Sequence, residues 1–295
     1  MTNYQKGHLF NLFSILAMAL GPLFSKFGLL HVSPAKASVI NVLTIIITSY
    51  LFGILTKNRV KLYWEKEIMV LALFNSLGVI FLFLSMNLLS PVEVGFFGRF
   101  YTVFAVLLSV VLLKEKISRR ETIFITIAIF GAFLFVEKGD IHSTSILGTL
   151  FAVIYTFFFA LTNIYIKKSM SKDKSSNSIL FTNNSITLIF VIVYAAFAGE
   201  LFIGWDTHEG IGFIIFSSFL TGFLGTILLY QALKYLRFSI ANVTRAFSPV
   251  LLAIISFPFF PIVITWQNTL GAVLLIGSIL LLTVKPKAAK EKQNE

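Results

Sequence analysis

Ten apolar runs, each about long enough to cross a lipid bilayer, take up nearly the whole chain. A spanning helix needs about 20 predominantly apolar residues. Runs of that kind fall at approximately 9–29, 36–55, 67–88, 92–113, 121–137, 147–168, 179–199, 210–232, 239–260 and 268–284. The connections are short, so no soluble domain fits between them. Charged residues make up 13% of the chain and hydrophobic residues 57%, whereas a soluble domain carries about 25% charged residues. Too few charges remain to cover a water-facing surface, and 33 phenylalanines suit one that faces lipid. The expectation is an all-α integral membrane protein of ten transmembrane helices.

The formal net charge of +11 is concentrated on alternate connections. Lys57, Arg59, Lys61 and Lys66 precede the third run, and Lys114, Lys116, Arg119 and Arg120 follow the fourth. Lys167, Lys168, Lys172 and Lys174 follow the sixth, Lys234 and Arg237 the eighth, and Lys285, Lys287, Lys290 and Lys292 the tenth. The other connections hold Glu137, Asp140, Glu200, Asp206 and Glu209, with only Lys36 and Lys138, and Lys26 near a helix end. By the positive-inside rule, this bias predicts cytoplasmic termini and an even number of spans in a cell (plasma or inner) membrane, with 285–295 as a basic cytoplasmic tail. The basic surplus therefore points to a membrane surface and not to nucleic acid. Trp64, Trp205 and Trp266 fall at run ends, as interfacial anchors should. Ala17-Met18-Ala19 resembles a signal-peptide cleavage site but lies inside an apolar run, so an uncleaved first helix is expected.

The halves repeat. An offset of 141 places Gly7 on Gly148, Leu9 on Leu150, Phe10 on Phe151, Ala19 on Ala160 and Lys26 on Lys167. An offset of 146 lays the fourth and fifth runs on the ninth and tenth without a gap, and there Arg99 meets Arg245 and Gly131 meets Gly277. The units expected are 7–137 and 147–284, five spans each. Five is odd, so the second copy enters the membrane inverted. That arrangement is typical of secondary transporters, with the substrate site near the midplane between repeats.

"GHLFNLFSILAMALGPLFSK" and "GTLFAVIYTFFFALTNIYIKK" open the two halves; "LLKEKISRRETIFITIAIFGAFLFV" closes the first; "SPVLLAIISFPFF" and "QNTLGAVLLIGSILLL" close the second. In order and spacing, these segments resemble the EamA branch of the drug/metabolite transporter superfamily over about Gly7 to Thr283. Val103 stands where a helix-four proline is expected, Pro249 keeps its counterpart, and Lys114-Glu115 has only Phe260-Pro261 in the second half. The resemblance implies carriage of amino acids, nucleotides, cofactors or drugs, without choosing among them.

At 100° per residue, Gly95, Gly98, Arg99, Thr102, Ala105 and Ser109 share one face of helix four, and Phe97, Phe100, Phe104 and Leu108 the other. The small and polar stripe reads as inward-facing, the phenylalanine side as lipid-facing. In helix nine, Ala241, Asn242, Arg245, Ser248, Pro249 and Ser256 lie on or near one face. An arginine at a helix centre costs about 2.5–3.5 kcal/mol on the insertion scale, so it is normally functional or paired. Inverted topology puts Arg99 in the outer half of the membrane and Arg245 in the inner half, about 9–13 Å from their surfaces. Two readings follow: the arginines bind an anionic substrate group or act as gates, or they hold backbone carbonyls and lock helix packing.

Other candidates for the cavity wall are Asn75, Ser76, Ser85 and Asn87 in helix three, Asn163 in helix six, and Tyr230 with Gln231 in helix eight. Interhelical hydrogen bonding is the competing reading for each. Tyr101, Tyr155 and Tyr165 carry less signal; Gly78, Gly222 and Gly225 read as close-packing positions. Glu93 is the sole carboxylate inside the runs, and a coupling role competes with snorkelling at the interface. Cysteine is absent and the four histidines share no ligand spacing, so no metal or other cofactor is expected. No GxxxxGK[ST] or catalytic constellation appears, which argues against ATP hydrolysis and membrane enzymes. The leading reading is a secondary transporter, exporter or exchanger, for a small polar metabolite, anionic or zwitterionic, such as an amino acid or derivative. The alternative is a non-coupled channel, scramblase or structural membrane protein. Partners expected are the small-molecule substrate, membrane lipid and a second copy in a homodimer.

Overall fold

A computed structural model describes residues 2–88, 97–98, 100–134, 146–170, 174–201, 207–248, 251 and 265–283. Arg99, Glu93, Pro249, Trp205, the tail after Thr283 and the side chains of Lys26 and Asn87 lie outside the described residues. The described chain forms ten helices: α1 Asn3–Gly28, α2 Pro34–Leu55, α3 Lys66–Leu88, α4 Phe100–Leu113, α5 Arg119–Leu134, α6 Ile146–Met170, α7 Ser176–Phe197, α8 His208–Tyr235, α9 Phe238–Arg245 and α10 Trp266–Thr283. Of these, α1, α2, α6, α7 and α8 are long and apolar enough to cross a membrane by themselves, and α4 and α10 are shorter apolar helices.

Local sequence explains where the helices start and stop. Thr2 accepts from the Gln5 N–H at 3.3 Å while the Gln5 side chain accepts from the Thr2 N–H at 2.9 Å, a reciprocal cap on α1. Ser118 and Glu121 make the same box before α5, at 3.3 and 2.8 Å. Ser33 with Pro34 opens α2, and Thr207 opens α8. α2 and α7, equivalent helices of the repeat, end alike. Asn58 N–H donates to Gly53 O and Lys57 N–H to Ile54 O; Glu200 N–H donates to Ala195 O and Gly199 N–H to Ala196 O. Both are Schellman closures through a left-handed residue, Gly199 at φ 71° and Lys57 at φ 54°.

Helix packing follows a two-fold exchange of the halves. α3 packs against α6 as α8 packs against α1. α4 packs against α6 and α9 against α1, while α3 meets α7 and α8 meets α2. The pairs α2–α7, α5–α10 and α4–α9 lie across the exchange and map onto themselves. Two five-helix units inserted in opposite senses produce this pattern.

The α1–α8 seam shows how sequence sets the approach. Gly7, Asn11, Ser14, Met18, Gly21 and Ser25 recur every three or four residues, on one face of α1. Ser14 Oγ donates to Gly225 O at 2.6 Å, Ser217 Oγ to Gly21 O at 2.9 Å, and the Ser25 and Ser217 hydroxyls lie 2.6 Å apart. A β-carbon at Gly21 would run into Thr221, and one at Gly225 would lie 2.6 Å from Met18. Opposite this face, α8 widens into a π-helical stretch, Ser218–Gly225, the kind of bulge often found beside functional sites. Gly78 and Gly222 are close-packing positions too, against Phe159 and Ile45.

Gly131 and Gly277, matched by the repeat, differ in packing. A β-carbon at Gly131 would lie 2.8 Å from Gly271 O and 2.9 Å from Leu275 N, while at Gly277 nothing stands within 4 Å. Gly131→Leu therefore forces α5 away from the α10 backbone and costs about 1–3 kcal/mol. Gly277→Ala is neutral or stabilising by up to about 1 kcal/mol. Melting temperatures of the two purified variants check this; equal losses would contradict it.

The phenylalanine face of α4 is not its lipid face. Phe100 meets Phe133 at 5.2 Å and Phe104 meets Phe157 at 5.4 Å between ring centroids. Phe104 and Leu108 pack on the main apolar cluster, whereas Leu107 and Val111 are 57% and 69% exposed. The difference arises because α4 is flanked by α6 on one side and α9 on the other. The inward stripe is as expected: Thr102, Ala105 and Ser109 are buried.

Candidate substrate site

Arg245 closes α9, seven residues from its start at Phe238, about 10 Å along the axis. Its guanidinium meets α1 and α4. One Nη donates to Met18 Sδ at 2.8 Å, and the guanidinium carbon lies 5.7 Å from the centroid of the Tyr101 ring. The other Nη is buried and, among the described residues, has no hydrogen-bond partner. Ion pairs among the described residues include Lys174 with Glu65 and Arg237 with Glu121, and none of them joins a carboxylate to Arg245. A thioether is a weak acceptor and a ring face a weak anion substitute. The cation is therefore held in place while much of its donor capacity is unused.

Around it lies a short polar chain. Tyr101 Oη donates to Asn242 Oδ1 at 2.5 Å, and Asn242 Nδ2 to Phe238 O at 2.8 Å. Asn11 Nδ2 donates to Ala241 O at 3.1 Å, and Asn11 Oδ1 is buried without a partner. Asn11 and Asn242 are fully buried. Buried polar atoms left unpaired are costly, of order 1–3 kcal/mol and more for a charged group. This patch thus offers one donor of a guanidinium and one amide oxygen, each without a hydrogen-bond partner among the described residues.

Thr102 is buried next to Tyr101 on α4, and Ser248 is half-buried beyond the last residue of α9. The other expected wall residues are elsewhere. Asn75 Nδ2 donates to Thr187 Oγ1 at 2.9 Å, joining α3 to α7. Asn163 Nδ2 donates to Phe159 O at 2.9 Å within its own helix. Tyr230 is buried in the main apolar cluster. The positions of α6 that correspond to Asn11, Ser14 and Met18 at the 141 offset are Ala152, Tyr155 and Phe159, so the patch is built in one half only. Asn11 and Met18 were not singled out in the sequence, where the small and polar stripe of α1 was their signal, and Tyr101 stood there only among the weaker candidates.

At the end of the bundle toward which α9 starts, basic connections converge. Glu115, just past α4, accepts from Phe238 N–H at 2.6 Å, Ser239 N–H at 3.1 Å and Ser239 Oγ at 2.6 Å. A carboxylate on the first turn of a helix satisfies orphan N–H groups and opposes the helix dipole. Arg237 donates to Lys116 O at 2.8 Å and pairs with Glu121, while Lys167 donates to Leu233 O and to Leu236 O, the latter at 2.7 Å. The α4–α5 connection is thereby fastened to the α8–α9 corner and closes this end beneath Arg245. At the opposite end, Glu200 accepts from Ala35 N–H at 3.2 Å.

Comparison with known proteins settles the family. The model of the EamA-like transporter family matches residues 5–137 and again 146–284. The chain belongs to the EamA-like transporter family. A solved crystal structure of another protein shares the fold, with a TM-score of 0.75 over 95% of this chain and 96% of that one at 15% identity. A GDP-fucose transporter of Dictyostelium discoideum is 28% identical over 200 residues, 64% of this chain. The match spans about half the length of that relative, 53%. This EamA-family protein is thus a multi-pass membrane protein.

Proposed function

We propose that the protein is a secondary transporter, exporter or exchanger, that carries a small metabolite with an anionic or zwitterionic group by alternating access between its two repeats. The observation that carries this reading is the buried, unpaired Nη of Arg245. A guanidinium presents a planar fork that suits a carboxylate or phosphate. Tyr101, Asn242, Thr102 and Ser248 orient the substrate around it, and the Asn11 amide oxygen accepts an N–H or O–H of the same molecule. Arg99 supplies the second cation from the other half. The Glu115 cap is the gate on the basic side, which we take as cytoplasmic with both termini by the positive-inside rule. The nucleotide-sugar relative, whose named cargo carries a diphosphate, agrees with an anion-reading cation.

Counterflow into proteoliposomes tests the reading. Vesicles preloaded with amino acids, carboxylates, sugar phosphates or nucleotides are exposed to tracer of the same compound. Saturable exchange of an anionic or zwitterionic compound is expected. Flux that never saturates would favour a channel or scramblase.

A further inference from the structure

A second site lies at the basic end, away from Arg245. A cavity of about 320 Å³ opens between the first turns of α1 and α5, the α8–α9 corner and the last turn of α10. Its apolar lining includes Phe124, Ile240, Leu281 and Leu282; its polar lining is Tyr4, Ser118, Arg120, Arg237 and the Glu121 carboxylate paired with Arg237. The two arginines differ. Arg237 is committed to Glu121 and Lys116 O. Arg120 lies 5.6 Å above the Phe124 ring, and among the described residues no carboxylate pairs with it.

The geometry points to an anionic phospholipid as the occupant, its phosphodiester on Arg120 and its acyl chains over the apolar lining. Three observations favour a lipid over a free phosphate. The polar lining lies at the ends of the spans, where headgroups sit. The apolar lining continues into side chains that face lipid, Ile123 at 57% exposure and Leu281 at 46%. The segments that line it are also rich in cations, with Lys6, Lys116 and Arg119 close in sequence to the lining residues. Basic pockets between helices at the cytoplasmic face bind anionic headgroups in this way. Because Arg237 and Glu121 line the cavity as well as fasten the α8–α9 corner, an occupant would brace the closed end.

The test is thermal melting of the full chain in uncharged detergent, with phosphatidylglycerol, phosphatidylcholine of the same chain length, or glycerol 1-phosphate added. Binding to the folded state raises the melting temperature by mass action. Phosphatidylglycerol should raise it by several degrees beyond phosphatidylcholine, and glycerol 1-phosphate should leave it unchanged. Arg120→Ala should lose that increment, measured against its own phosphatidylcholine baseline, while Arg119→Ala keeps it. Equal effects of the two lipids, a full increment in Arg120→Ala, or equal losses in the two variants would overturn the site. A matching rise with glycerol 1-phosphate would overturn the lipid as its occupant.

Discussion

Arg245→Met will lose substrate transport while remaining at least as stable as the parent. The substitution removes a cation that has a thioether and a ring face as its partners and a buried Nη with none. Methionine fills the space between Met18 and Tyr101 and relieves the cost of an unpaired buried donor, about 1–3 kcal/mol. Transport responds in the opposite sense. A hydrogen bond to a charged group is worth about 1.5–3 kcal/mol, and each 1.4 kcal/mol is about tenfold. Losing one such bond to a carboxylate or phosphate should lower apparent affinity by about ten- to a hundredfold. Arg245→Lys keeps the charge but not the fork, so it should fall between. Concentration-dependent uptake and a melting curve on the same preparations check both halves. If Arg245 were a packing lock, the methionine variant would melt early and the surviving protein would transport normally.

Glu115→Ala will open the basic end. Three hydrogen bonds converge on this one carboxylate from the first turn of α9. Losing a helix cap costs about 0.5–2 kcal/mol, with a further contribution from the lost charge at the N-terminus. Gln retains one acceptor oxygen and should show a smaller effect. The chain has no cysteine, so a single reporter such as Thr244→Cys can be labelled from the basic side without background. Its labelling rate should rise by about tenfold in Glu115→Ala, the effect of about 1.4 kcal/mol on a two-state opening. An unchanged rate would remove Glu115 from the gate.

Much of the fold was legible because bilayer physics leaves few solutions. Apolar run length set the ten helices, while the caps at Thr2, Ser33, Ser118 and Thr207 emerged only with the structure. The odd-numbered repeat implied the two-fold exchange seen in the packing. The site was legible only in part. Arg245 and Asn242 stood out because polar residues inside a span are costly. Tyr101 read as one more aromatic among many, since nothing local signals that its hydroxyl meets Asn242, 141 residues away. Glu115 looked like a loop charge for the same reason, with its partners 123 and 124 residues on. Asn75 and Asn163 carry as much polarity as Asn242, but Asn75 is spent on Thr187 of α7 and Asn163 on a carbonyl of its own helix. Which polar side chain is left over depends on neighbours that only the folded bundle supplies.

The most direct measurement is ligand-dependent melting of the parent protein beside Arg245→Met, against amino acids, carboxylates, sugar phosphates, nucleotides and organic cations. The account predicts that at least one anionic or zwitterionic compound raises the parent's melting temperature and that the variant, itself no less stable, loses that rise alone. A rise of the same size in both proteins would contradict it and put the substrate away from Arg245.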